Sequence, residues 1–555
     1  MAQSNTFSVE GNIFDAKNAR FVQGEVHVEN GIIKGIEERA SKNNSFFLPG
    51  LVDSHIHVES SLLVPTEFAR LAVRHGTVAT VSDPHEIGNV LGVDGVYYML
   101  NNAEQTPLKI LFGAPSCVPA TSSALETSGK EITAEQVAEL LRRPDIGYEA
   151  EMMNFPGVLN ADDVVTAKIE AARRIGKPID GHFPGGRGEE ARRYAEAGYP
   201  GEVTISTDHE CFTLEEAMDK LKYGMKISIR EGSAAQNLEA LHELFSTVPP
   251  DQIMLCSDDR HPDTLIEGHI NELMRRLVGH GHDPIPVILS ATKTPIDHYN
   301  MNVGLLQPGD PADFIRVDDL KDFKVRETYI DGELVSQDGE CLLPSVPVEV
   351  INNFNRSPVT TDQLIMRGET SRVRVIDVID GELITKEGSA EAPLRNGEYQ
   401  TDLDQDLLKI AVINRYGDTP PALAYVRGFK LKYGALASSV GHDCHNIVAV
   451  GTNDADLAQA INMVIEKKGG LSLASGSHQE MVPLPVAGIM SDQPGEKVAA
   501  EYATLDQQAR DLGSSLRSPF MSLSFLALLV IPKLKLSDKG LFDGESFSFV
   551  SLEQE

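Results

Sequence analysis

Eight short apolar runs, most of them rich in β-branched residues, punctuate residues 47–300 and constrain the fold more than any other feature of the chain. They close on "GLVDSHIH", "TVATVSDPHE", "KILFGAPS", "IGYEAEMM", "KPIDGHFPG", "VTISTDHE", "MKISIREGS" and "QIMLCSDDRH". Between them lie stretches such as "DVVTAKIEAARRIGK" and "LEEAMDKLKYG", whose apolar residues recur at three and four, the helical spacing. Strands that alternate with helices build a parallel sheet, because a parallel pair needs a long crossover. Eight such units within about 250 residues match a (β/α)8 barrel in number and length. A doubly wound sheet usually has five or six strands and a Gly-rich phosphate turn after the first, and no such turn follows "GLVDSHIH". The predicted class is α/β, with the barrel over residues 47–300.

The first run, "LPGLVDSHIHVES", ends in two histidines one residue apart. Side chains alternate along a strand, so His55 and His57 point the same way and can share a metal ion. A barrel gathers its active site at the C-terminal ends of its strands. Glu151 falls there on strand four, His182 on five, His209 on six and Asp258 on eight. Four imidazoles and two carboxylates at one mouth suit two divalent ions, with Glu151 able to bridge them. One barrel histidine alone would be ordinary packing; six ligand-type residues in the same strand-end register would not. "SDPHE" places Asp83, His85 and Glu86 after strand two, where they form either a turn with a helix cap or a substrate contact, proton relay or further cation site. His442 and His445, in "GHDCHN", either serve structurally or close over the site.

Charge and cysteine usage exclude several classes of function. The formal net charge of −33 repels nucleic acid phosphates and anionic lipid surfaces, while a small neutral substrate is indifferent to it. Cys117, Cys211, Cys256, Cys341 and Cys444 are odd in number, spread out and without a CxxC pair, which predicts reduced thiols in a cytoplasm. The start "MAQSNTFSVEGN" has neither the basic nor the apolar part of a signal peptide. The longest apolar run, "FLALLVIP", is far short of the about 20 residues that span a bilayer.

Outside the barrel, "EVHVENGIIKGIEE" carries an Asn-Gly hairpin signal at Asn30-Gly31. "NVGLLQPGDPADFIRVDDLKDFKVRETYIDGELV" echoes it with Asp331-Gly332, and "VIDGELITKEG" offers a third such piece near residue 379. We read these as recurring hairpin chemistry rather than duplication. Residues 343–555 form a further α/β region, with a helix predicted in "DADLAQAINMVIEKKGG".

Several stretches go further than a generic barrel. "PGLVDSHIHVESS", "SDPHEIGNVLG", "APSCVPAT", "EMMNFPGVL", "TDHECFTLEEAMDKL", "IREGSAAQNL" and "SDDRHPDTLIEGHI" resemble the bacterial adenine deaminases of the amidohydrolase superfamily. So do "GHDCHNIVAVGTNDADLAQAIN" and "PFMSLSFLALLVIPKLKLSDKGL" near the C-terminus. The resemblance covers nearly the whole chain. It implies hydrolytic deamination of free adenine to hypoxanthine and ammonia, with two divalent ions, Mn2+ or Fe2+ in preference to Zn2+. Many superfamily members bridge their metals with a carboxylated lysine on strand four; "YEAEMMNF" offers glutamate instead, which fits the adenine deaminase branch. The resemblance also joins residues 1–46 and 301–342 into a small, sandwich-like β domain beside the barrel.

The chemistry can be argued without the resemblance. Replacing an aromatic amino group by oxygen needs a strong nucleophile at neutral pH, and a proton must travel from the attacking water to the leaving nitrogen. Asp258 is the candidate carrier, preferred over Asp259 because it comes first after "IMLC"; Asp259 is then expected to face away, in a supporting place. His85 and Glu231 are the other candidate catalytic residues. Arg230 and Glu231 either hydrogen-bond the purine edge or brace their loop as an ion pair, and Asp83, Glu86 and Asp259 are further candidate substrate contacts. Phe155 with Met152 or Met153 are candidates for an apolar lid. The PCxxC of cytidine-type zinc deaminases is absent. The expected partner is a small purine base, with no nucleic acid and no membrane, in a homo-oligomeric enzyme. The alternatives are another amidohydrolase acting on a related aminopurine or a cyclic amide, and a non-enzymatic barrel, against which the six intact ligand positions argue.

Overall fold

The computed structural model describes residues 6–554. Strands Leu51–Ile56, Thr77–Ser82, Lys109–Ala114, Ile146–Met152 and Ile179–Gly181 pair in that order as a parallel sheet, and Thr207–Asp208, Lys226–Arg230 and Ile253–Cys256 form a second. Hydrogen bonds join the two arcs into a ring. Ser206 N donates to Ile179 O at 2.9 Å, and on the other side Asp258 N donates to His55 O at 2.9 Å, where Ile56 and Asp258 form a parallel bridge. The first two strands are buried along their whole length, as parallel strands sheathed by helices should be. Val81, Tyr148, Ala150, Met254 and Tyr299 pack together in one cluster fed by strands two, four and eight.

The connecting helices follow their sequence signals. Asp163–Ile175 starts on Asp162, whose carboxylate accepts from Val164 N and Val165 N, and stops at Gly176 with φ 75°. Its spaced apolar residues Val165, Ile169 and Ala172 are buried, together with Lys168. Leu214–Lys222 is capped in the same way by Thr213.

One eight-stranded sheet combines Thr6–Asp15, Arg20–Glu29, Ile32–Glu38 and Phe46–Pro49 with Phe314–Val317, Val325–Ile330, Glu333–Gln337 and Glu340–Cys341. Both hairpin dipeptides adopt left-handed pairs, with φ 53° and 78° at Asn30-Gly31 and 48° and 75° at Asp331-Gly332, the conformation that matches strand twist. The third dipeptide, Asp380-Gly381, behaves differently. Its flanking strands Arg372–Val378 and Thr385–Glu391 do pair, but through a longer loop over residues 379–384.

A second eight-stranded sheet spans residues 372–483, with helix Asp454–Lys467 packed on it through Leu457, Ile461 and Val464. A later segment, comprising helix Pro519–Ser524, the turn Phe525–Ala527 and strands Leu534–Ser537 and Gly540–Asp543, returns to the barrel mouth. All five cysteines are free. Among the described residues no helix is long and apolar enough to cross a membrane.

Candidate metal centre

His55, His57, Glu151, His182, His209 and Asp258 converge at the C-terminal mouth of the barrel, all buried. The Glu151 carboxylate lies at the middle of the group. Its Oε1 is 3.2 Å from His57 Nε2, while its Oε2 is 2.7 Å from His182 Nδ1 and 3.2 Å from His209 Nε2. Asp258 Oδ1 is 3.2 Å from His57 Nε2 and 3.6 Å from His55 Nε2. Two sets of three, His55 with His209 and Asp258 and Glu151 with His182 and His209, each hold their donor atoms within 4.8 Å of one another.

Local backbone irregularity aims two of these groups. Tyr148 and Ala150 pack into the Val81 and Met254 cluster, so strict alternation would turn Glu151 to the other face. The register shifts between Glu149 and Met152, and the carboxylate enters the mouth instead. Asp258 has a left-handed φ of 52°, a conformation that non-glycine residues rarely hold. Strand five is fixed to strand four by Tyr194, whose hydroxyl accepts from His182 N at 2.9 Å and donates to Met152 O at 2.7 Å.

Burial works against ionising Glu151, yet His182, His209 and His57 around it hold its carboxyl well below the usual range. Asp258 is likewise held well below its ordinary value, by Arg230 and by His55 and His57, despite burial. Burial opposes protonation of His182, but Glu210 and Glu151 outweigh it and raise the imidazole to about 9. His209 moves the other way, lowered by burial and by His55. Both ring nitrogens of His55 and Nε2 of His182 are buried without a hydrogen-bond partner. Desolvated nitrogen donors beside two ionised carboxylates form a set that divalent cations would satisfy.

The neighbouring candidates divide. Asp83 Oδ1 accepts from His85 N at 3.0 Å, the turn role, while its Oδ2 lies 2.9 Å from His85 Nδ1. His85 Nδ1 is also 3.6 Å from Glu151 Oε1, so this segment does reach the site. The Glu86 carboxylate meets His442 Nδ1 and His445 Nε2, each at 2.5 Å. Arg230 is braced as an ion pair, donating to Glu210 and, at 2.7 Å, to Asp258 Oδ2.

Three expectations are corrected. Glu231, taken as a catalytic candidate, points away from the site: its carboxylate pairs with Arg276 and accepts from Leu238 N at 3.0 Å, because alternation puts Arg230 inward and its neighbour outward. Asp259 does not face away from Asp258. It lines the same pocket and groups with His57 and Asp258, its Oδ1 accepting from Ser60 Oγ at 2.5 Å, since the left-handed backbone at Asp258 breaks the alternation. Of the lid candidates only Met153 lines the pocket; Phe155 faces an adjoining cavity of about 840 Å3 and Met152 lines neither.

Sequence reasoning missed Glu210, although it directly follows His209 in "TDHE" and the buried Arg230 needs a counter-ion. It also missed the apolar wall that Leu383, Phe525, Leu528 and Ile531 raise opposite the barrel.

Residues 46–335 match the Amidohydrolase family, and residues 382–548 match the Adenine deaminase C-terminal domain. The chain is 50% identical over 547 residues to the adenine deaminase of Salinibacter ruber, covering 98% of both chains. It is 49% identical over 553 residues to that of Methanosarcina acetivorans, again covering 98% of each. With that of Parabacteroides distasonis it shares 44% identity over 552 residues and the full length of both.

Proposed function

The chain belongs to the adenine deaminase family of amidohydrolases, and we propose that its buried histidine and carboxylate cluster holds two divalent ions and hydrolyses free adenine to hypoxanthine and ammonia. One observation carries the reading: a single carboxylate, Glu151, stands between His57 on one oxygen and His182 and His209 on the other, the arrangement a bridging ligand needs. His55, His57, Glu151, His182, His209 and Asp258 would hold the ions. None of the six is a thiolate, and such a nitrogen and oxygen donor set suits Mn2+ or Fe2+. Bound there, the cations would acidify water and so supply a nucleophile at neutral pH.

The protein's own groups then manage the protons. Asp258, low in pKa and fixed through Oδ2 by Arg230, turns Oδ1 toward the histidines and can accept the proton of the attacking water. Its delivery to the exocyclic nitrogen makes ammonia rather than hydroxide the leaving group. His85, at the same mouth, is placed to meet the edge of the base, while Glu86 is taken up by His442 and His445. The five cysteines, odd in number, spread out and without a CxxC pair, fit a reducing, cytoplasmic setting.

Ammonia release from a panel of purines and cyclic amides, assayed with protein loaded with Mn2+ or with Fe2+, tests the reading. Adenine should be the preferred substrate and two metal equivalents should be needed for full rate. Turnover of a cyclic amide in place of adenine would overturn it.

A further inference from the structure

The barrel supplies charge to the catalytic pocket but little that could hold a neutral, flat base. Its inward polar groups are the candidate metal ligands, His85, the Glu86 already paired with His442, the Asp259 paired with Ser60, and the arginine shared by Glu210 and Asp258. Binding a planar heterocycle calls for apolar contact on its faces and a few fixed polar atoms at its edge. Apart from Met153, the apolar lining comes from the C-terminal region, as Leu383, Phe525, Leu528 and Ile531. The same wall carries one imidazole, His442.

That imidazole is held on two axes. Its Nδ1 donates to Glu86 Oε1 at 2.5 Å, and its ring lies face to face with Phe525 at 4.2 Å and 9°. The other oxygen of Glu86 lies 2.5 Å from His445 Nε2. With Nδ1 committed, Nε2 is the polar atom of His442 left for a ligand, on a ring that stacking and a charge-assisted hydrogen bond keep from turning. Such preorganisation distinguishes a reading group from a merely buried histidine.

We infer that the C-terminal region forms half of the base-binding site: His442, oriented by Glu86 and Phe525, hydrogen-bonds a ring nitrogen of the purine, and the Leu383, Phe525, Leu528 and Ile531 wall covers the base. Selection of the base is thereby separated from the metal chemistry below it. This rests on the deaminase reading and adds to it a specificity-determining residue outside the barrel. The space left between wall and metal cluster is about 20 Å3, room for about one water, so the wall must part from the barrel to admit a base.

The test uses the metal-loaded full chain, with metal counted in every sample. Native protein, His442→Ala and His442→Gln are assayed on adenine and on analogues in which one ring nitrogen at a time is replaced by CH. The expected result is that His442→Ala keeps two metal equivalents but loses about 10- to 100-fold in kcat/KM for adenine, chiefly through KM. With the one analogue that lacks the partnered nitrogen, native and variant should become alike, the signature of a direct contact. A uniform loss across adenine and all analogues, no loss at all, or loss of metal from both variants would overturn the inference. If native protein deaminates none of these bases, the deaminase reading itself fails; if native protein is active and the variants show no selective effect, only the role of His442 falls.

Discussion

At Asp258 one backbone angle decides the character of an acidic pair. A regular strand end would send Asp258 and Asp259 to opposite faces; the φ of 52° at Asp258 instead lets both line the pocket. Asp258→Asn keeps an oxygen for a cation but cannot carry a proton, so kcat and kcat/KM should fall together by about 10²- to 10⁴-fold, with metal content unchanged. Asp259→Asn should also be damaging, at least about tenfold, because its carboxyl is buried beside His57 and Asp258. Native rate in Asp259→Asn would restore it to a supporting place. Glu151→Gln has the sharpest expected outcome, since it keeps shape while removing the charge that the surrounding imidazoles stabilise. It should bind fewer than two ions by elemental analysis and lose activity in proportion, and a variant with both ions and full rate would refute a bridging role. The convergence of six ligand-type side chains on the barrel mouth was legible because each sits at the end of an apolar run. The placement of Asp259 was not, because a single residue's φ leaves no mark in a hydrophobic pattern.

Among the elements, those set by local sequence were the readable ones. The helices at Asp163–Ile175 and Asp454–Lys467 and the turns at Asn30-Gly31 and Asp331-Gly332 carry their caps and left-handed residues within a few positions. The strand Leu534–Ser537 was not readable, because what matters in it is the place it reaches. Lys535 is fully buried there and donates to Leu383 O at 2.6 Å and Phe525 O at 3.0 Å, both in the wall over the site. Burial pushes its ammonium down to about 7. Between that value and the ordinary lysine value of about 10.4, the unfolded chain binds a proton that the folded chain does not, so this group makes stability rise with pH across the window. Below about 7 both states are protonated and the burial penalty is present in full. Thermal unfolding of native protein and Lys535→Met, followed from pH 7 to 10, should therefore show native protein gaining on the variant as pH rises. A constant gap would mean that Lys535 does not titrate in this range.

The whole molecule places side chains distant in sequence onto one small site: Glu86 and His442 are 356 positions apart and share a hydrogen bond. No local pattern announces such a pair, which is why "GHDCHN" could be noticed in the sequence but not given a role. Overall charge, by contrast, is readable from composition alone and constrains function directly. The chain carries a formal charge of −33, and its candidate site is covered by the wall of Leu383, Phe525, Leu528 and Ile531, which leaves about 20 Å3 of space. A polyanion approaching this surface meets repulsion that lengthens with falling ionic strength, since the screening length grows from about 8 Å at physiological salt to about 30 Å at 0.01 M. Steric closure adds a term that salt does not relieve, because an adenine held in a strand cannot bring its sugar and phosphates beneath the wall formed by Phe525 and Leu528. The two effects separate in one experiment. Deamination of free adenine and of adenine in a single-stranded oligodeoxynucleotide is measured at low and high salt with the same metal-loaded protein. Free adenine should turn over at a rate nearly independent of salt, and the oligonucleotide should remain unreacted at both. Oligonucleotide turnover that appears only at high salt would show that charge alone protects polymers, and turnover near the free-base rate at both would show that the wall opens far enough to admit a strand.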